Sequence, residues 1–230
     1  MGLGCPLLDS LADGDGMTPD LCPPAQEIRK LDLDFQSAEP RVAPGYGARL
    51  MTTSMGPPVL PHWCVWVQPP PASGENRWTR RWLKAVDAAL ETWSGEVSVT
   101  QVMDPKRAQI RVERRRPPRR QLPSGWRASN GRTLLETLQV RRDRMWRLEP
   151  RLTVLVSPEL RAPVLQATAL HELGHALGLW GHSDQSGDAM AVTQGQAPVL
   201  TLSDRDRLTF SWLQQIPTRF GSVMEPQKVP

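Results

Sequence analysis

Along this 230-residue chain the apolar positions follow two rhythms. Trp78, Trp82, Ala85, Val86, Ala89, Leu90 and Trp93 recur at helical spacing, while Arg80, Arg81, Lys84, Asp87 and Glu91 fill the other face. This predicts an amphipathic helix over 76–93, with its indoles in the core and Gly95 past its end. The stretch Val164 to Leu170 contains no breaker and is rich in helix formers, which predicts a second helix over 163–177. Ser203, with Asp206 three residues on, reads as the N-cap of a closing helix reaching about 215, with Leu208, Trp212 and Leu213 facing inward. Shorter β-prone runs predict strands at 62–67, 97–102, 108–112, 133–140 and 152–156. The last is nearly all apolar, as a central strand buried on both faces should be. A strand, a helix, further strands and then a second helix imply an α+β domain: a twisted mixed sheet with the long helices packed on it.

Breakers set the boundaries. Residues 1–58 are rich in Pro, Gly and Asp, with Asp13-Gly14-Asp15-Gly16 and Gly56-Pro57-Pro58, and are expected to form an irregular extension. The Asp13–Gly16 stretch lacks the spaced acids of a calcium loop and reads as a turn. One domain is expected over 59–222 and a tail over 223–230. Nine Trp against one Tyr and three Phe mean that indoles supply much of the core volume. No apolar run is long enough for a transmembrane helix. The first residues lack the basic and apolar regions of a standard signal peptide, so the compartment stays open. Cys5, Cys22 and Cys64 are an odd set without C-x-x-C spacing, which suggests neither a zinc ligand set nor a dense disulfide framework; one disulfide is possible.

The net charge of +4 conceals an asymmetry. Residues 107–151 hold fourteen Arg against four acids, a local +10, which leaves 4 − 10 = −6 for the remainder. Such a basic middle could draw an anionic partner, or be a solvated strand-and-loop surface. No nucleic-acid motif accompanies it, so no nucleic-acid partner is expected, and the chain is expected to be a monomer.

The chemistry concentrates in His171-Glu172-Leu173-Gly174-His175-Ala176-Leu177-Gly178-Leu179-Trp180-Gly181-His182, which carries three of the four histidines. At i and i+4 on a helix, His171 and His175 share one face and can address one metal ion. Glu172 projects beside them, where a carboxylate can take a proton from an attacking water. Gly178 suits a left-handed helix end, after which His182 can return as a third nitrogen ligand. Three protein ligands with one open position describe a catalytic zinc site rather than a structural one. His62, at the start of a strand, reads as a polar neighbour rather than a ligand.

This stretch, with Asp188-Ala189-Met190 downstream, resembles the metzincin zinc proteases, whose pattern is H-E-x-x-H-x-x-G-x-x-H followed by a Met-turn. It is most similar to the matrixin branch and its small bacterial and cyanobacterial homologues, including the His182-Ser183 ending. One departure stands out: Leu179-Trp180-Gly181 places three residues, not two, between Gly178 and His182. Gly181 is expected to absorb the extra residue, and Trp180 to pack under the Met-turn rather than at the cleft rim. The resemblance implies a zinc-dependent endopeptidase acting on protein or peptide substrates. His171, His175 and His182 would hold one catalytic Zn²⁺, with Glu172 as general base and Gly178 and Met190 as structural support. It also implies a substrate laid along an antiparallel edge strand, here Thr133, Leu134, Leu135, Glu136, Thr137 and Leu138. The family's second zinc and calcium loops find no counterpart between Arg111 and Arg151, so no structural Zn²⁺ or Ca²⁺ is expected. Cys22 lacks the surroundings of a pro-segment thiolate that caps the zinc, and Tyr46 lies far along the chain from Met190, against a tyrosine ligand. Two further readings are a weakly catalytic, protease-like module holding an anionic partner through the Arg-rich middle, and a peptidase trimming one dedicated partner.

Overall fold

Residues 20–37, 43–122, 125–193 and 197–224 are described by a computed structural model. Cys5, the Asp13–Gly16 stretch, Gln194–Gln196 and the tail from 225 lie outside the described residues. In chain order the elements are β1 Glu27–Leu31, β2 Phe35–Ser37, β3 Met51–Thr53, β4 His62–Val67, α1 Arg77–Ser94, β5 Ser98–Gln101, β6 Ile110–Arg114 and β7 Arg120–Leu122. There follow β8 Gly125–Arg127, β9 Gly131–Arg142, β10 Met145–Val156, α2 Ala162–Ala176, α3 Asp204–Gln214 and β11 Val223–Met224. The fold is mixed α/β, built on a mixed sheet with three α-helices. No helix among the described residues is long and apolar enough to cross a membrane.

The main sheet runs β1-β9-β10-β6-β4-β5, with β11 also paired to β10. β5, β4, β6 and β10 are parallel neighbours, and β9 returns antiparallel to β10 over its full length. β10 is central and mostly buried, as its apolar run requires. Helices α1 and α2 pack on each other, and α2 lies on β9 and β10. Two indoles seal this layer: Trp82 Nε1 donates to Val156 O at 3.2 Å, and Trp93 Nε1 to Leu170 O at 2.9 Å. A buried indole needs such an acceptor, because its N–H would otherwise lose its water bond uncompensated.

Helix boundaries follow local chemistry. Asn76 caps α1 by accepting from the Trp78 and Thr79 amides, Pro163 sits in the first turn of α2, and Ser203 and Asp206 form a reciprocal capping box on α3. Two inward-facing assignments are corrected. Trp78 is 45% exposed and lies under the guanidiniums of Arg77 and Arg81, and Leu208 is 52% exposed. Leu213 faces inward as expected and Trp212 is half-buried against the core, and Asp206, Thr209 and Phe210 complete the inner face of α3. In both helices an apolar residue at the margin of the stripe turns outward, where cations or solvent take it.

The larger correction concerns the N-terminal region. Within residues 20–58, β1 adds to the main sheet, β2 and β3 pair with each other, and a 3-10 turn spans Gly47–Arg49. Tyr46, Leu50 and Val59 are buried in the same core cluster as Trp82, Trp93 and Leu213. Cys22 is disulfide-bonded to Cys64 of β4, so it does not serve as a thiolate over the histidines. The expected edge is also changed. β1 pairs with β9 from Thr137↔Leu31 to Arg141↔Glu27, which covers Thr137 and Leu138. Among the described residues, 131–136 remain the open part of the edge.

Much of the basic stretch is consumed by this frame. Arg142 and Glu149 form a buried ion pair with three nitrogen–oxygen contacts of 2.9–3.1 Å, and Arg107, Arg115, Arg116 and Arg141 pair with acids at the surface. Removing one partner of a buried pair strands the other charge. Glu149→Ala is therefore expected to cost about 3 kcal/mol, read as a lower urea midpoint. Deleting residues 1–58 should abolish the cooperative near-ultraviolet melting transition; a truncated chain melting like the full one would make this packing dispensable.

Candidate metal centre

Helix α2 delivers His171 and His175 one turn apart, with ring centroids 4.8 Å apart and planes at 86°. The chain leaves α2 through Gly178, whose φ of +115° is open to glycine and strained for any side chain, and whose Cα packs on Val59. Two successive tight turns follow: Trp180 N donates to Gly178 O at 2.8 Å and Gly181 N to Leu179 O at 3.0 Å. These turns carry the chain from Gly178 to His182. The expectation that Gly181 uses backbone angles reserved for glycine is corrected: it is not among the glycines of positive φ, and it is needed because a Cβ there would strike the Arg49 main chain. His182 then stands 5.2 Å from the His171 ring and 4.9 Å from the His175 ring. One ligand atom from each of the three residues lies within 4.8 Å of the other two.

Each ring on the helix is anchored from its far side. His171 Nδ1 lies 2.8 Å from Ala189 O and His175 Nδ1 lies 2.7 Å from Leu179 O. A carbonyl only accepts, so both Nδ1 atoms carry the proton and both Nε2 lone pairs are left for a metal. Burial lowers the pKa of His171 to about 4, partly countered by its bond to Ala189, and that of His175 to about 3, helped by the neighbouring His171. Burial lowers His182 as well. Neutral imidazoles with fixed tautomers are the form in which histidine ligates. The residues present fit a borderline-soft divalent ion such as Zn²⁺, with the exposed His182 on the solvent side.

Glu172 is buried and packs against β9. Thr133 Oγ1 lies 2.8 Å from both Glu172 Oε2 and Glu172 O and shares its proton between them. Burial pushes the carboxyl up to about 7, against the lowering effects of Thr133 and of nearby Arg132. A Cβ at 131 would sit 2.6 Å from Glu172 Cγ, so glycine there lets the carboxylate lie against the first residue of β9. The open part of the edge therefore begins beside Glu172.

Met190 lies under the helix: a Cβ at Gly174 would collide with its Sδ. The turn that carries it is held by Asp206, which is fully buried and accepts from Ala189 N at 2.7 Å, Ser203 N at 3.0 Å and Tyr46 Oη at 2.8 Å. Burial and the Asp206 charge drive the Tyr46 phenol far above its usual range, so it remains a donor. Asp188 accepts from Ser183 and Ser203, while Ser183 N donates to Met190 O at 2.8 Å. Asp184 is committed elsewhere, paired at 3.0 Å with both Arg49 and Arg205, and is no part of the imidazole group.

Several roles were not visible in sequence. Thr133 was assigned to the edge strand but also donates to Glu172; Gly131 and Asp188 carried no signal beyond position; Asp206 registered only as a helix-capping acid. Tyr46, remote in sequence from Met190, reaches the same carboxylate that holds the Met190 turn. Trp180 is corrected too. It does not lie under Met190 but stacks on His175 at 5.8 Å and 24°, with Phe35 of β2 on it at 5.1 Å, at the side of the cluster. His62 and the cysteines are also brought together, with His62 Nε2 3.9 Å from Cys22 Sγ.

Neither a scan against known protein-family models nor a search of curated proteins returns a match to this chain. Because Ala189 O orients His171 and Asp206 holds the Ala189 amide, Asp206→Ala should weaken metal retention without touching a ligand. Competition with a chromophoric zinc chelator is expected to give at least about tenfold lower affinity, as for other outer-shell anchors.

Proposed function

We propose that the protein is a zinc-dependent metalloendopeptidase of the metzincin, matrixin-like kind. The observation that carries this reading is the juxtaposition of three neutral imidazoles, a buried carboxylate adjacent on the same helix, and an unpaired strand edge starting at that carboxylate. The resemblance of His171–His182 and of the turn at Met190 to the metzincin pattern points the same way, and the two ring anchors support metal binding by His171 and His175.

In this reading His171, His175 and His182 hold one Zn²⁺, which when bound polarises the scissile carbonyl and acidifies the attacking water. Glu172 accepts the proton of that water and passes it to the leaving amine. A base works best with a pKa near the operating pH, and burial moves Glu172 in that direction. The Thr133 hydroxyl aims the carboxylate, and Met190 with Gly174 fixes the floor beneath the ligand-bearing turn of α2. A peptide adds as a strand along 131–136, taking main-chain hydrogen bonds from β9, with Leu134 offering an exposed apolar contact.

Glu172→Ala should leave zinc content and near-ultraviolet circular dichroism unchanged while lowering kcat on a cleaved peptide by at least ~10²-fold, the usual scale of a general base. Undiminished turnover would move the base elsewhere. His182→Ala should lose stoichiometric zinc by elemental analysis, whereas Asp184→Ala should keep it. The reverse pattern would replace the third imidazole by a carboxylate. A folded, purified chain that takes up no zinc would end the proposal.

A further inference from the structure

Apart from the imidazole cluster, Cys22, His62 and Cys64 form one other group whose ligand atoms all lie within 4.8 Å of one another among the described residues. In this structure the two sulfurs are joined as a disulfide, with Cα atoms 5.8 Å apart. Two features set the group apart from a structural disulfide with a passing neighbour. The first is the orientation of His62. Its Nδ1 lies 2.9 Å from Ser98 Oγ, while Nε2 faces Cys22 Sγ at 3.9 Å. An imidazole anchored at one nitrogen and aimed at sulfur with the other has the arrangement of a ligand held by its outer shell.

The second feature is that both cysteines are held in place without their bond. Cys64 lies within β4, between β5 and β6, and its amide donates to Gln109 Oε1 at 2.9 Å. The segment bearing Cys22 is pinned by the Asp20–Arg107 pair at 2.7 Å, by Arg142 donating to Pro23 O, by Ala25 N to Lys106 O at 3.2 Å and by Gln26 N to Arg141 O at 2.9 Å. It then continues into β1, paired along β9. Opening the disulfide therefore leaves two thiols and an imidazole at ligand spacing. A depression bordered by Thr100, Met103 and Arg107 reaches Cys22.

We propose that Cys22, His62 and Cys64 form a second, redox-gated metal site for a thiophilic d¹⁰ ion such as Zn²⁺, exclusive with the disulfide. A dithiol reductant transfers two electrons and two protons to the disulfide, giving two protein thiols and one oxidised, cyclic dithiol. The ion then binds both sulfurs as thiolates and His62 Nε2 as a neutral donor, and the two thiol protons go to solvent. Two thiolates and one imidazole suit such an ion, with a fourth position for water. A small-molecule disulfide oxidant takes two electrons from the two thiolates and leaves as its dithiol after gaining two protons from solvent, which re-forms the Cys22–Cys64 bond and releases the ion. The site is independent of the reading of His171, His175 and His182, and it departs from the sequence-based expectation that the cysteines form no ligand set.

The test titrates Cd²⁺ into the full chain, oxidised and after anaerobic reduction, following the ultraviolet sulfur-to-cadmium charge-transfer band and the number of ions bound. An imidazole cluster cannot produce that band. The expected result is one additional ion per reduced chain, with the band present only in the reduced protein. The band should be lost in Cys22→Ser and Cys64→Ser, kept in Cys5→Ser, and reversed by an oxidant. His62→Ala should keep a sulfur band but bind at least about tenfold more weakly, since loss of a ligand costs no less than loss of its support. Equal cadmium uptake by oxidised and reduced chains would overturn the proposal, as would a band that survives Cys22→Ser. Unchanged affinity in His62→Ala would remove the histidine from the site and with it the proposal. Near-ultraviolet circular dichroism of the reduced, metal-free chain checks the frame. It should match the oxidised spectrum; its collapse would equally overturn the proposal, because the thiols would then not be held at ligand spacing.

Discussion

The arrangement of the imidazole cluster depends on one buried carboxylate that touches none of the three histidines. Asp206 is wholly inside the protein and accepts hydrogen bonds from the Ala189 amide, the Ser203 amide and the Tyr46 hydroxyl. A buried charge is tolerable only when its lone pairs are so engaged. The consequence is a chain of constraints: Asp206 fixes the Ala189 peptide, the Ala189 carbonyl fixes the His171 proton on Nδ1, and Nε2 is left for a metal. The same carboxylate begins α3 and draws in the N-terminal region through Tyr46. Three segments remote in sequence are thereby tied to one ring orientation.

A second constraint works through absent side chains. Gly174 admits the Met190 thioether beneath α2, Gly131 admits Glu172 against β9, and Gly181 admits the Arg49 main chain against the loop that carries His182. At each place two backbones, or a backbone and a working side chain, come closer than a Cβ allows. Close packing of this kind lets Glu172 sit buried and His171 and His175 half-buried while keeping one side of the cluster open at His182.

The N-terminal region borders the imidazole cluster and the open strand edge. By pairing with the far half of β9, β1 leaves 131–136 as the open edge, and β2 brings Phe35 against Trp180 beside His175. The link after Gly178 is held by the same region, because the Trp180 carbonyl accepts from Met51 N at 2.7 Å and a Cβ at Gly181 would strike the Arg49 main chain.

The sequence by itself determined the elements whose signal is local. The α1 stripe, the breaker-free α2, the Ser203–Asp206 cap and the apolar run of β10 each lie within a single helix or strand, where periodicity and capping act directly. The i, i+4 placement of His171 and His175 is likewise a property of the helix alone. Tertiary structure decided the rest. β1 is short and largely polar, so its strand character comes from β9 and not from its own pattern. Trp78 and Leu208 lie at stripe margins, where the neighbouring surface decides between inside and outside. Cys22 meets Cys64 across a separation of 42 residues, Tyr46 meets Asp206 across 160, and Thr133 meets Glu172 across 39. Such pairings are fixed by how the sheet stacks on its helices, a geometry that exists only once the whole core has closed.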